Sequence, residues 1–398
     1  MKLQNVFREV AIKELVAVDL PELGSNQHEI NGSSSLKEFF RTDEKIKEAI
    51  SWHYFDDEGE SSSDTGEFTF YDARLKSADR TGRSEWRGYY TGEFLNLAKP
   101  GDALILARTI DGSLHGLIFA ANSNHLRSAL ILLDLKAVTE RFQILSATAL
   151  EKTELELMGQ LILEELNLPV PLLSKTNDEE LMVKTFGKAL PDTRTMTEFA
   201  RSKIEVDITD PDAALIGWLK RETELFYALE RVLVQEQLDR GFDSVDHFIE
   251  YSIRVQQSRR SRMGLSLQHH LAAVFSANKL EFKAQARTEG KNRPDFLFPG
   301  EKEYHDPEFD VAMLVMLGAK STAKERWRQV LVEADKIRDK HLCTLEPGIS
   351  LDQTEEMRLK RVQLVIPAQL CDTYSPQQQK TIWKLNEFID FVRSKQAP

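Results

Sequence analysis

Apolar and polar positions follow two different rhythms along this chain. Through residues 1–150 the apolar residues fall in short runs, GEFTFYDARL, DALILARTI, LHGLIFAAN and ALILLDL, divided by Gly, Asp, Ser and Pro. Short apolar runs punctuated by turn formers are strands. The pattern predicts a mainly-β domain over 1–165, of the kind that closes into a small barrel. Residues EKTELELMGQLILEELNL then read as an acidic helix and PVPLLSKTNDEE as a polar, Pro-containing connector, so a linker is expected over 166–189.

From about 190 the apolar spacing lengthens to that of helices. TMTEFARSK predicts a short helix. DPDAALIGWLKRETELFYALERVLVQEQLDRGF predicts a long one, with Asp210 as N-cap, Pro211 at the first helical position and Gly241 as the stop. SVDHFIEYSIRV predicts another, and a further helix is expected to begin near Ser266, after the basic run RVQQSRRSR. Strands are expected in LEFKAQAR, DFLFP and DVAMLVMLGAK, followed by a long helix AKERWRQVLVEADKIRDKH, a strand RVQLVIP and a last helix QQQKTIWKLNEFIDFVRSK. Helices flanking a mixed sheet make 190–398 an α/β domain.

Bulk properties narrow the class. A chain of 398 residues exceeds a single ordinary core, in keeping with two domains. No apolar run approaches the ~20 residues that span a bilayer, and MKLQNVFREVAIKEL lacks the layout of a secretory signal, so a cytoplasmic protein with no membrane role is expected. The two cysteines, Cys343 and Cys371, support neither a disulfide framework nor a Cys-rich zinc site. A net charge of −12 argues against indiscriminate coating of nucleic acid, yet leaves room for a specific binder with a local basic cleft.

The residues that carry chemistry lie over 294–333. Hydrolysis of a phosphodiester needs carboxylates for a divalent cation and a group that orients or deprotonates water. Asp295 opens one strand after Pro294, Lys320 closes the strand DVAMLVMLGAK, and Glu333 is expected inside the next helix. It borders the apolar stripe Trp327, Val330, Leu331, Ala334 and Ile337. Pro-Asp turns and strand-end lysines are common, and a carboxylate beside a core stripe is equally well explained by a structural ion pair.

Longer motifs go further. GFDSVDHFIEYSIRVQQSRRSRMGLSLQHHL, TEGKNRPDFLFP, YHDPEF, KSTAKERWRQVLVEADKI and RVQLVIP resemble, in order and over about 190–398, the catalytic domain of the EcoRII family of restriction endonucleases. The resemblance implies a restriction-endonuclease-like fold with a permuted PD-(D/E)xK site, in which the second acid follows the lysine. Gly318 and Ala319 precede Lys320 here, with no acid, and Glu333 follows. The roles implied are Asp295 and Glu333 as Mg²⁺ ligands, Lys320 positioning the attacking water, and Tyr304 near the active site. Gln268 stands where the family has an auxiliary glutamate; it can hydrogen-bond but brings no charge. A double-stranded DNA substrate, a two-fold homodimer and a short CC…GG target are implied with them.

DNA-contacting candidates fall in three places. Lys324, Glu325 and Arg326 open the expected helix of Glu333, where groove entry would couple base reading to cutting; the resemblance assigns them the outer C·G pairs, and a solvated face is the other reading. Arg254, Arg259, Arg260 and Arg262 form an acid-free run suited to phosphates. The family flips its central base pair toward positions that are Lys220 and Thr223 here, so the stacking aromatic is missing, with Arg221 or Trp218 as nearby substitutes.

In the first domain, FYDARLKSADRTGRSEWRGYY interleaves Arg74, Lys76, Arg80, Arg83 and Arg87 with aromatic and turn residues, as a groove-contacting ribbon would. Over 66–110 it resembles, more faintly, the B3-like pseudobarrel of the EcoRII effector domain. That implies binding of a second target copy and control of cleavage, as in type IIE enzymes. A DNA-binding regulator without cleavage and a mismatch- or modification-dependent nuclease are the competing readings.

Overall fold

Branched and aromatic residues in short alternating runs build the first half of the chain. The computed structural model describes residues 2–20, 29–31, 34–56, 61–75, 84–92, 94–145, 147–152, 157–166, 168, 177–323 and 326–397. The chain divides into two units, Met1–Pro171 with Pro347–Ser350, and Leu172–Glu346 with Leu351–Pro398.

In the first unit, β1 (Phe7–Glu14), β2 (Glu29–Asn31), β3 (Ile46–Phe55), β4 (Ser61–Asp72), β5 (Trp86–Tyr90), β6 (Ala103–Thr109), β7 (Leu114–Phe119) and β8 (Gln143–Leu145) form one sheet. Its order is β2-β5-β4-β3-β7-β6-β1-β8, and every pair is antiparallel except β3 with β7. Side chains alternate across a strand, so both faces are apolar. Leu104 and Leu106 of β6 join Trp52, Phe68, Phe70 and Trp86, whereas Ala103, Ile105 and Ala107 join Phe55, Leu117 and Phe119. The mainly-β character is as expected; the strand order is that of an open sheet, with β2 and β8 at its edges.

Helices α1 (Ser35–Phe40), α2 (Asn124–Leu132), α3 (Ala147–Lys152) and α4 (Leu157–Glu165) complete this unit. ALILLDL, expected as a strand, is instead the end of α2 and the turn after it. Ser123 caps the helix by accepting the Leu126 amide at 3.0 Å, and Ala129, Leu132 and Leu133 enter the second core.

The second unit begins inside the expected linker. Helix α5 (Asp178–Phe186) is bound there by Arg221, whose guanidinium meets both Asp178 oxygens at 2.7 and 2.8 Å. Helices α6 (Thr193–Arg201) and α7 (Pro211–Arg240) follow. Asp210 caps α7 by accepting the Ala213 amide at 3.0 Å, and Gly241, with φ of 80°, ends it, both as the sequence predicts. Helix α8 (Val245–Ala277) is one rod of 33 residues where two helices were expected; no Pro interrupts the basic stretch.

A six-stranded mixed sheet receives these helices. It is built from β9 (Lys283–Ala284), β10 (Phe296–Phe298), β11 (Val315–Lys320), β12 (Lys340–Thr344), β13 (Val362–Ile366) and β14 (Trp383–Lys384), in the order β14-β13-β12-β11-β10-β9. Strands β11 to β14 are parallel and the β9 and β10 side is antiparallel. Helices α9 (Glu301–His305), α10 (Leu351–Leu359) and α11 (Leu385–Gln396) complete the α/β unit. The last helix starts later than expected, since Trp383 and Lys384 pair into the sheet. Phe275 of α8 ties the layers together, its ring centroid 5.1 Å from Phe296 and 6.1 Å from Phe388.

The largest departure lies in the expected helix AKERWRQVLVEADKIRDKH. Trp327–Val332 is a 3₁₀ segment, Glu333 is extended, Ala334 is left-handed with φ of 51°, and the segment's end is strand β12. Trp327, Val330, Ala334 and Ile337 are all buried, as the apolar stripe requires, but a turn rather than a helix buries them. Gly318 explains why: a Cβ there would lie 2.7 Å from Val330 Cγ2. Its bare backbone lets the segment lie directly on β11, and that packing overrides local periodicity. Among the described residues, no helix is long and apolar enough to cross a membrane.

Candidate active site

The antiparallel pairing of β10 with β11 matches Phe296 to Leu317, which brings Asp295, just before β10, beside the end of β11. Asp295 is 5% exposed. Its Oδ2 accepts the Ala319 amide at 2.7 Å and the Lys320 ammonium at 3.0 Å. Its Oδ1 accepts the Gln268 and Gln285 side-chain amides, each at 2.8 Å. A carboxylate offers about four acceptor positions, so this one is fully engaged. Helix α8 delivers Gln268, and Gln285, at φ of 51°, is a second left-handed residue at the site.

Glu333 approaches from the turn after the 3₁₀ segment. Burial pushes its carboxyl up to about 7; Lys320 and Lys340 pull it down, and Asp295 pushes it further up. Its Oε2 is buried without a hydrogen-bond partner. Asp295, Lys320 and Glu333 are therefore brought together, although Glu333 is not helical as expected.

Tyr304 stands behind this cluster. It is buried, its hydroxyl donates to Glu289 and accepts the Lys336 amide at 3.2 Å, and its carbonyl accepts the Lys336 ammonium at 2.7 Å. Those partners hold the turn after Glu333, so the Tyr304 hydroxyl is engaged with Glu289 and the Lys336 amide. Gln285, Glu289 and Lys340 were not singled out from sequence. Polar residues of unremarkable spacing gave no signal; only the β9 and β10 pairing and the left-handed turn make them neighbours.

The expected DNA contacts fare unevenly. Arg326 is exposed, and Lys324 and Glu325 lie outside the described residues. Arg254 is exposed, with its guanidinium 5.4 Å from the Tyr251 ring. Arg259 points inward instead, donating to buried Glu230 at 2.5 and 2.8 Å. Arg262 donates to the Pro191 carbonyl and packs over Phe226 at 4.9 Å, with its pKa lowered by burial. The phosphate clamp is thus corrected for Arg259, held by Glu230, and for Arg262, held by the Pro191 carbonyl and Phe226; the Arg260 side chain lies outside what is described. Arg221 is committed to Asp178, Trp218 is buried, and Lys220 is partly buried, so neither Arg221 nor Trp218 stands free to replace a stacking aromatic.

In the first unit Arg74 pairs with Glu85 at 2.5 Å, and Arg87 pairs with Glu85 and Glu29. Their charge is met within the unit, which corrects the picture of an open basic ribbon at these two positions. Lys76, Arg80 and Arg83 lie outside the described residues.

This geometry can be set beside known proteins. Residues 226–389 match the family model described as EcoRII C terminal. The EcoRII resemblance read from the sequence therefore holds for this part of the chain. Against the type II restriction enzyme EcoRII of Escherichia coli, identity is 39% over 214 residues, covering 54% of this chain and 53% of that protein. The chain thus spans about half the length of the curated EcoRII relative it matches. Among solved structures, metal-depleted Ecl18kI in complex with uncleaved DNA is 18% identical, with a TM-score of 0.46 over 55% of this chain and 83% of that one. A PspGI complex with substrate DNA is 14% identical, with a TM-score of 0.43 over 54% of this chain and 95% of that one.

Proposed function

We propose that this chain is a Mg²⁺-dependent, type II site-specific DNA endonuclease. Its second unit would hydrolyse duplex phosphodiesters at a short CC…GG-type site as a homodimer. The observation that carries the reading is the meeting of Asp295, Lys320 and the buried, unpartnered Glu333 oxygen at one strand end. An orphaned carboxylate oxygen beside a second carboxylate fits a cation better than it fits a structural pair.

The residues present suit Mg²⁺ in particular. Among the described residues no three His, Cys, Asp or Glu side chains gather to cage a metal. Magnesium is commonly held by one or two carboxylates, with water and substrate phosphate completing its shell. Asp295 and Glu333 would hold it, and it would supply charge stabilisation to the phosphate under attack. Because Asp295 already accepts four hydrogen bonds, loading must displace a donor, and the long Gln268 and Gln285 side chains are the ones able to swing away. Lys320 would orient the attacking water, while the Ala319 amide keeps Asp295 fixed.

Lys324, Glu325 and Arg326 would read the outer base pairs, with Arg254 at the phosphates. The first unit would be a B3-like domain that binds a second target copy and raises cleavage in the manner of type IIE enzymes. The deciding experiment incubates the full-length protein with supercoiled plasmid and Mg²⁺. Linear product with ends at one sequence is expected, faster on two-site than on one-site plasmid. Binding without any cut would replace this reading with that of a regulator, and equal rates on the two plasmids would remove the type IIE element.

A further inference from the structure

We propose that Lys340, with Glu289 opposite it, is a positioning residue that holds the turn presenting Glu333 to a divalent cation; this rests on the nuclease reading above. Glu333 is extended and Ala334, next to it, is left-handed. A residue with a Cβ keeps that conformation only where its surroundings impose it.

Lys340 imposes it from within. It is 6% exposed, and its ammonium donates to the carbonyls of Glu333, Ala334 and Ile337, the last two at 3.0 Å. An ammonium has three donors, and this one spends all three on a single turn. Among the described residues it makes no ion pair. Burying a charge is costly, and a neutral donor could cap a purely structural turn more cheaply. Glu289 imposes the turn from the other side, accepting the Asp335 amide at 3.1 Å and the Tyr304 hydroxyl, which itself accepts the Lys336 amide at 3.2 Å. Successive backbone groups from 333 to 337 are thus fixed by two charged side chains, neither hydrogen-bonded to Asp295 or Lys320.

Groups that orient a metal ligand without touching the metal change affinity by about 10–100-fold when removed. The test titrates full-length protein with Mn²⁺, following free Mn²⁺ by electron paramagnetic resonance, for the parent, Lys340→Met and Lys340→Arg. Lys340→Met should weaken Mn²⁺ binding about 10-fold or more, with cleavage regained as Mn²⁺ is raised. Lys340→Arg should restore most of the affinity, and gel-shift binding of DNA without metal should match the parent in both.

A folded Lys340→Met variant that binds Mn²⁺ as the parent does, with only its thermal midpoint lowered, overturns the inference. Should Lys340→Met not fold, Glu289→Gln carries the test: weaker Mn²⁺ binding supports the positioning turn, and unchanged binding in a folded Glu289→Gln overturns it. A parent that neither binds Mn²⁺ nor cuts in its presence sinks the nuclease reading itself, whereas a parent that does both beside an unaltered Lys340→Met sinks this inference alone.

Discussion

Two buried carboxylate clusters, one in each unit, differ in how their charge is met. In the first, Lys13 and Asp19 meet at 2.5 Å, nearly out of solvent, and Asp19 also takes the Val16 and Asn31 amides at 3.0 and 2.9 Å. Both Asp19 oxygens have donors, so the pair reads as a fixture that pins β1 to the segment before β2. In the second, Asp295 is equally saturated, but Glu333 beside it keeps an oxygen without a partner and a carboxyl pushed up to about 7. A satisfied buried pair says little beyond packing. An unsatisfied acid near Asp295 and Lys320 is the arrangement from which the cation site is proposed.

Substitutions can break that contrast. Lys320→Ala carries the largest expected effect: a loss of about 10³-fold or more in single-turnover cleavage with gel-shift affinity retained; an unaltered rate would remove Lys320 from the chemistry. Next, Lys13→Met leaves Asp19 buried without its cation, and should lower unfolding stability by about 3–5 kcal/mol in urea titrations.

Glu333→Gln should act in the opposite direction. Because the folded carboxyl titrates near 7 against 4.5 for an ordinary glutamate, the unfolded chain gives up the proton first. The stability this group confers is present below about 4.5 and gone above about 7. Glu333→Gln should therefore stabilise the protein by ~1–2 kcal/mol at pH 8, after allowing for solvent screening, with the gain vanishing near pH 4.5 while cleavage is lost. Smallest of all, Arg87→Ala breaks a half-buried network with Glu85 and Glu29 and should cost about 1 kcal/mol by the same titration.

Much of this was legible in the residues, for identifiable reasons. Helix α7 could be read end to end because Asp210, Pro211 and Gly241 are explicit boundary signals. Asp295 and Lys320 could be paired because one opens a strand and the other closes its neighbour. The failures share one cause, the priority of tertiary contact over local pattern. ALILLDL is apolar enough for a strand, yet Ala129, Leu132 and Leu133 pack into the core from the end of α2 and the turn after it. The Glu333 segment has helical spacing, yet the notch at Gly318 and the Lys340 ammonium fold it into a turn. Basic positions read as DNA contacts until Glu230 and Asp178 are seen to meet Arg259 and Arg221, since partners far away in sequence leave no mark beside them, whereas Glu85 stands inside the basic motif whose Arg74 and Arg87 it pairs.

The half-ionised state of Glu333 near neutrality has a calorimetric consequence. If Glu333 ligates a divalent ion as proposed, loading near pH 7 releases part of a proton into the medium, because the ionised carboxyl is the ligating form. The heat of loading will then change between buffers of unlike ionisation enthalpy, and an unbuffered solution will acidify as the ion is added.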